Sequence, residues 1–210
     1  MENMTLLGIL NISIVIPILM VCSILMIAYA LERFWAFSRV GQLSGGTSER
    51  IKQCVRQGQI KEAVALCQKS PNFITHSLEV ALNAAHFPRE EMESIFALYR
   101  MKLQALLNKH LAIFGTFAFI GPLLGLLGTV LGVIRAFRDL ALSGSGGPTI
   151  VAAGIAEALI ATAVGIGVAV TSALLYNFFT ARVRAIVTQY DLLSQEVAIL
   201  VYTGTAKGAR

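Results

Sequence analysis

The chain has 210 residues, of which 56% are hydrophobic and only 14% are charged, and its mean hydropathy is +0.70. This is too few charged residues to cover the surface of a soluble globule of this size. The composition therefore predicts a membrane protein. The net charge of +5 is not arranged as a basic stripe interleaved with aromatics. We therefore expect attraction to anionic lipid headgroups and no nucleic-acid partner. No metal or cofactor is expected, because the cysteines and histidines lack metal-ligand spacing.

Three apolar stretches are long enough to cross a bilayer, which takes about 20 residues in a helix. They cover residues 6–30, 111–134 and 150–179. The first stretch is not expected to be a cleaved secretory signal, because Glu2 precedes it, the Lys and Arg cluster follows it and the apolar run is too long. It is interpreted as a retained transmembrane helix.

Basic residues are concentrated on one side of these spans. Of the 17 Lys and Arg residues, 11 lie in 33–109 and four follow residue 179, whereas the connection 135–149 holds two. The positive-inside rule places the N-terminus outside and the middle region and C-terminus in the cytoplasm. The predicted fold class is an all-α membrane protein with three transmembrane helices and long cytoplasmic helical extensions. Its segments are a first transmembrane helix with a short external N-terminus (1–35), a cytoplasmic helical region (36–110), a transmembrane hairpin (111–179) and a cytoplasmic C-terminal helix (180–210).

The cytoplasmic region reads as a series of helices. Short helices are expected over residues 59–69 and 73–85, each bounded by turn-forming residues. From Arg89 the helical pattern enters the membrane without a breaker, which predicts one helix of about 50 residues, bent near Gly121 and Pro122.

Polar residues occur at defined depths in the hairpin. Residues 143–148, Ser-Gly-Ser-Gly-Gly-Pro, predict the turn between the second and third spans. Thr129 and Thr162 are about equidistant from this turn, so we expect them at the same depth. Glu157 lies about 7.5 Å nearer the outside than Thr162, and about 140° away around the helix, so the two side chains are not expected to point along one narrow line.

Glu157 is the one acid inside an apolar span, and a carboxylate there costs about 2.5 to 3.5 kcal/mol on insertion scales. Such a group usually faces a bundle interior or a water-filled cavity, so a pore wall is the favoured interpretation. Two alternatives stay open: Glu157 reaches the headgroups, or it forms a hydrogen bond across a helix interface. Because the spans hold no second acid, a proton path would need a ring of copies or a partner helix with its own carboxylate.

Small residues dominate both helices of the hairpin. Gly121, Gly125, Gly128 and Gly165 are assigned to close helix packing, and Pro122 to a kink. Tight packing alone would explain most of these glycines.

The remaining polar residues of the hairpin have two interpretations each. Thr129 and Thr162 either line a pore or bond their own backbone one turn earlier, as threonines in membrane helices often do. Arg135 and Arg138 either tune an outer vestibule or anchor to headgroups, and anchoring is preferred.

Two motifs in the hairpin are similar to those of a known family. They are GPLLGLLGTV over residues 121–130 and GIAEALIATAVG over residues 154–165. With LNKHL at 107–111 and ERFW at 32–35, they resemble the MotA/TolQ/ExbB proton channel family, and its ExbB/TolQ branch most. The resemblance covers about residues 103–190. Flagellar MotA-type stators resemble the hairpin but have four membrane helices, so three spans argue against that branch.

The resemblance implies a multi-pass protein of the bacterial inner membrane that assembles as a homopentamer, with the hairpin lining a central pore. The pore would enclose the single membrane helices of an ExbD/TolR-like partner dimer, which brings an essential aspartate. Thr129 and Thr162 would surround that aspartate, and Glu157 would lie in the pore toward the outside. With this partner the chain would use the proton motive force, and a TonB/TolA-like transducer would carry the work to outer-membrane transport or envelope processes.

Two other functions are weighed against a proton channel. A passive membrane scaffold that stabilises a partner helix is the alternative. An enzyme is not expected, because His76, His86 and His110 are scattered and no nucleophile, metal or phosphate motif lies near them.

Overall fold

A computed structural model describes residues 14–40, 45–143 and 148–208. These ranges contain seven helices and no strand, so the all-α prediction is confirmed for the part of the chain described. The predicted external N-terminus (residues 1–13) and most of the predicted turn (residues 144–147) lie outside the described residues. The helices are α1 (Val15–Val40), α2 (Gly45–Arg56), α3 (Ile60–Lys69), α4 (Phe73–Asn83), α5 (Arg89–Asn108), α6 (Leu111–Ser143) and α7 (Pro148–Gly208).

Three of these helices are long and apolar enough to cross a membrane. Their candidate spans are Val15–Ser38, Leu111–Leu142 and Val151–Thr203, which confirms the predicted number of spans within the described residues. Helix α7, which contains the third span, runs for 61 residues, because no proline follows Pro148 and the residues beyond Phe179 keep a helical apolar spacing. The predicted C-terminal helix is therefore the continuation of the third span.

The described chain forms two compact units. The membrane unit contains α1 as far as Glu32, all of α6, and α7 as far as Phe179. The charged unit contains Arg33–Lys109 and the part of α7 from Thr180 onward.

The core of the membrane unit is built where α1 meets the hairpin of α6 and α7. Ile16 and Leu19 of α1 are buried, and the Ser172 hydroxyl donates to the Met26 sulfur at 2.9 Å. The rings of Phe114 and Phe179 lie 5.5 Å apart. Apolar packing of this kind fixes the hairpin's position against α1 within the unit.

The charged unit is held by polar contacts between α5 and the end of α7. The Tyr190 hydroxyl donates to the Phe96 carbonyl at 3.3 Å, and Arg100 Nε donates to both Asp191 carboxylate oxygens at 2.9 Å.

The two short helices expected before α5 are present as α3 and α4, with ends within two residues of those predicted. The α4 start has a reciprocal cap, in which the Asn72 side chain accepts from the Thr75 amide and the Thr75 hydroxyl accepts from the Asn72 amide, both at 2.9 Å. Such a cap satisfies two amides that have no partner inside the helix.

The prediction of one unbroken helix from Arg89 into the membrane is wrong. The helix ends at Asn108, and a new one begins at Leu111, because His110 adopts a left-handed φ of 64°. Tertiary contacts hold His110 there: its ring packs 5.1 Å from that of Tyr29, and its Nδ1 lies 3.4 Å from a carboxylate oxygen of Glu32. Pro122 lies inside the continuous helix α6.

Candidate functional site

Glycines allow α6 and α7 to approach until their backbones touch. A Cβ added at Gly165 would lie 2.6 Å from the Gly121 carbonyl oxygen, and one added at Gly125 would lie 3.0 Å from the Cα of Thr162. Real Cβ atoms do not approach backbone this closely, so a side chain at Gly165 would push the two helices apart.

The close approach continues toward the turn with alanines as partners. An added Cβ at Gly128 would lie 2.6 Å from the Cβ of Ala161, and one at Gly132 would lie 2.7 Å from the Cβ of Ala158. One at Gly154 would meet the Cβ of Ala136 at 2.5 Å. We call this line of contacts, from Gly121 and Gly165 toward the turn as far as Ala136 and Gly154, the seam. Residues in contact across it are nearly equidistant from the turn, as the hairpin register predicts.

The polar side chains of the hairpin lie on opposite sides of the seam. Glu157 and Thr162 are about 140° apart around α7, and Thr129 and Arg135 are about 120° apart around α6. Because Thr162 bonds to Gly125, one turn from Thr129, the two threonines share one side, which we call the threonine flank. Arg135 and Glu157 share the other, the acid flank. The chain therefore places Thr129 and Thr162 on one side of the seam and Glu157 on the other.

The two threonine hydroxyls are both bonded to backbone carbonyls. The Thr162 hydroxyl donates across the seam to the Gly125 carbonyl at 2.8 Å, whereas the Thr129 hydroxyl donates to Leu126 in its own helix at 2.7 Å. Each hydroxyl uses its one O–H donor in this bond, but its oxygen keeps lone pairs that can accept another hydrogen bond. The threonine flank therefore offers acceptors to whatever lies beside it.

The acid flank consists of an ion pair. Arg135 Nη1 donates to Glu157 Oε1 at 3.1 Å, and the side chains are 47% and 23% exposed respectively. Neither interpretation of Arg135 from the sequence included this contact, and the preference for a headgroup anchor stays a prediction. Of the alternatives for Glu157, the structure contains the bond across the helix interface.

Sequence reasoning missed Arg135 as a site residue, although a signal for it existed. Arg135 and Glu157 are nearly equidistant from the turn, so the rule that aligned Thr129 with Thr162 also places this base level with this acid.

Other site chemistries find no support in the described residues. No group of three or more His, Cys, Asp or Glu there could hold a metal ion. Every buried side-chain nitrogen and oxygen in those ranges has a hydrogen-bond partner. Among its described residues, the hairpin therefore offers the Arg135–Glu157 ion pair and threonine hydroxyls that are bonded to backbone carbonyls, those of Thr129 and Thr162 among them.

The sequence matches known proteins over most of its length. The model of the MotA/TolQ/ExbB proton channel family matches residues 65–192. The chain is 32% identical to the Tol-Pal system protein TolQ of Haemophilus influenzae over 179 residues, covering 81% of this chain and 72% of that protein. It is 29% identical to the biopolymer transport protein ExbB of Pseudomonas putida over 161 residues, covering 72% of this chain and 49% of that one.

A solved structure shares the fold. A chain of the C. jejuni MotAB structure aligns with a TM-score of 0.68 at 18% identity, covering 94% of this chain and 78% of that one. At this identity the likeness supports the helical architecture alone. The family match and the TolQ relative decide the membership, and the apolar spans agree with it. The chain belongs to the MotA/TolQ/ExbB proton channel family and is a multi-pass protein of the inner membrane.

Proposed function

We propose that the chain is the pore-forming subunit of a proton-driven ring, a homopentamer around the membrane helices of an ExbD/TolR-like partner dimer. Protons pass through this complex down their gradient, and a TonB/TolA-like transducer carries the resulting work to outer-membrane transport or envelope processes. The N-terminus lies in the periplasm and the C-terminus in the cytoplasm. Thr129, Glu157 and Thr162 belong to the pore in this proposal.

The threonine flank is the observation that carries the proposal. It presents two hydroxyl groups whose O–H bonds already donate to backbone carbonyls. Their oxygens can therefore still accept a hydrogen bond from a protonated carboxyl group. A hydrogen bond to the neutral form of an acid favours that form. The described part of the hairpin has no acid on this flank, so in this proposal another chain supplies the carboxyl group. An aspartate on a partner helix that binds and releases a proton fits this requirement.

The exposed side of α7 supports assembly into a ring. It carries a stripe of small residues at spacings of four and seven, and all four are exposed in the single chain: Ala152, Ala156, Ala163 and Gly167. In a bilayer, helices associate through small residues because these let their backbones approach closely, whereas contact with lipid does not require small residues. The stripe therefore favours a neighbouring helix over lipid.

Two substitutions test the channel. Glu157→Ala and Thr162→Val, in cells lacking the chromosomal copy, should each abolish the energised outer-membrane process and proton flux in isolated membranes. Thr162→Ser, which keeps the hydroxyl, is the matched control and should remain active. Expression and assembly are checked by immunoblotting and native electrophoresis. Activity preserved in both loss variants would contradict the channel.

A passive scaffold remains the second candidate, because the polar groups of the hairpin are already paired within the chain. A scaffold needs only the shape of the hairpin. Thr162→Val conserves that shape, so under the scaffold hypothesis it would hold the partner helix and leave activity unchanged. Co-purification of the partner with an inactive Thr162→Val chain would therefore favour the channel over the scaffold.

The proposed orientation has a separate test. A cysteine placed at Ser38 or at Gln195 in a chain without its natural cysteines should react with a membrane-impermeant maleimide only after the inner membrane is opened. Labelling of either position from the periplasmic side in intact spheroplasts would reverse the orientation.

A further inference from the structure

We infer that Arg135 is a positioning residue that holds Glu157 as a permanent carboxylate at the outer end of the hairpin, so Glu157 does not carry the transported proton. The inference rests on the proposed function and narrows it. The proton-carrying acid is then supplied by the partner alone. Glu157 contributes a fixed negative charge that compensates Arg135.

The packing beside the pair prearranges its geometry. Ala136 follows Arg135 in α6 and packs on Gly154, while Ala158 follows Glu157 in α7 and packs on Gly132. Backbone contacts therefore fix the two helices on both sides of the pair. The 3.1 Å bond between Arg135 Nη1 and Glu157 Oε1 spans a distance that the seam sets, so little side-chain freedom is needed to keep it.

The local charge balance favours a resident pair. Beyond Arg135 and Glu157, the outer part of α6 carries Arg138 and Asp139, both exposed. These four groups sum to zero charge. Glu157 is the one acid in α7 from Val151 to Phe179, and α1 has no charged residue among its described positions before Glu32. In Arg135→Gln, Glu157 therefore has no basic group beside it among the described residues of α7 from Val151 to Phe179 or of α1 before Glu32.

Removing one partner of such a pair has a different cost from removing both. A single substitution removes the counter-charge of the group that remains, whereas replacing both partners by neutral groups of similar shape is often close to neutral. A proton carrier behaves otherwise, because a carboxyl group that binds and releases the proton cannot be replaced by an amide in any background.

The experiment is a double-substitution cycle on the complex purified from native membranes through a tag on this chain and reconstituted in liposomes. Proton flux is followed with a pH-sensitive dye. Arg135→Gln and Glu157→Gln should each lower flux by about tenfold or more, and the double variant should recover to within about threefold of wild type. Arg135→Lys should retain most of the flux, and Arg138→Gln, which removes an equal charge three residues away, should change it little.

The pH profile of flux gives a readout that loss of packing alone would not move. Arg135→Gln releases Glu157 from its partner, so a titration step absent from wild type should appear in the profile. The step should disappear again in the double variant, because the titrating group is gone. The charged neighbours Arg138 and Asp139 are unchanged throughout, and thermal stability in detergent shows that each variant is folded.

The outcomes separate this inference from the proposed function. Flux in wild type, loss in both single variants and recovery in the double variant support it. A double variant as inactive as Glu157→Gln would overturn it, since a carboxyl group would then be required at residue 157 for its own chemistry. Single variants with unchanged flux would also overturn it. A wild-type complex without proton flux would overturn the proposed function and this inference together.

Discussion

The hydroxyl groups of Thr129 and Thr162 differ in whether they donate a hydrogen bond within their own helix or to the other helix of the hairpin. Thr162 donates across the seam to Gly125, and Thr129 donates within its own helix. Only the first bond ties two helices together, and interhelical bonds of this type contribute about 0.6 kcal/mol on average and up to about 1.7 kcal/mol. The two residues therefore differ in their structural role even though both oxygens keep lone pairs that can accept a hydrogen bond.

Substitution of the two threonines by valine should separate these roles. Thr162→Val should destabilise the folded chain by about 0.6 to 1.7 kcal/mol more than Thr129→Val, because an intrahelical hydroxyl bond adds little. Urea unfolding in detergent micelles, followed by circular dichroism, measures the difference. Equal destabilisation by both substitutions would contradict the role assigned to the Gly125 bond, and Thr162→Ser serves as the hydroxyl-retaining control.

Cys67 in the charged unit gives a prediction that depends on pH. Burial, with Glu79 adding a smaller effect, raises the pKa of the Cys67 thiol from 9.0 to about 11. The folded state thus favours the neutral thiol, and this contribution to stability is present below pH 9.0 and is lost as the pH rises toward about 11.

At pH 8 the folded chain should hold about 100-fold less Cys67 thiolate than the unfolded chain. In a Cys22→Ser, Cys54→Ser chain, maleimide labelling measured by mass spectrometry should therefore be slower by at least that factor than in urea. Equal rates would show that the thiol is accessible and the burial incorrect.

At the scale of elements, local sequence signals predicted most of the fold. Apolar length identified the three spans, and turn residues bounded α3 and α4, because both signals act over a few neighbouring residues. The break at His110 could not be predicted, since it depends on Tyr29 and Glu32, about 80 residues away in the chain. The pairing of Glu157 with Arg135, in contrast, could have been predicted, because the hairpin register derived from the sequence places the two residues level.

The seam is the element most sensitive to a single methyl group. Gly165→Ala places a Cβ 2.6 Å from the Gly121 carbonyl oxygen, so α6 and α7 must separate and lose the contacts along the seam. The matched control is Gly115→Ala in α6, where an added Cβ would lie 3.6 Å from the Tyr176 ring, an ordinary van der Waals distance, and alanine improves helix propensity by up to about 1 kcal/mol. We expect Gly165→Ala to lower the urea midpoint in detergent and Gly115→Ala to leave it unchanged or raise it. A harmless Gly165→Ala would contradict backbone contact at the seam.

At the scale of the whole molecule, the membrane surface of one chain is largely uncovered. In the most apolar part of each of the three candidate spans, only 28%, 22% and 33% is buried. Exposure alone does not require a protein neighbour, because lipid covers apolar side chains equally well. The types of exposed residue differ by face: α1 exposes large side chains such as Ile24 and Ile27, and α7 also exposes large ones such as Leu159 and Leu174, but one side of α7 carries the stripe of small residues. We therefore expect the large exposed side chains of both helices to face lipid and the stripe of α7 to face another helix.

Native mass spectrometry of the complex in mild detergent should show an assembly larger than a dimer, with five copies of the 22.6 kDa chain plus any bound partner. Ala163→Leu on the exposed stripe of α7 should shift this assembly toward smaller species, because a leucine keeps the neighbouring backbone at a distance. The same change at Ala28, an exposed position of α1, should leave the mass unchanged since lipid accommodates it. A clean monomer in wild type would contradict the ring, and equal effects at both positions would show that the stripe is not the contact surface.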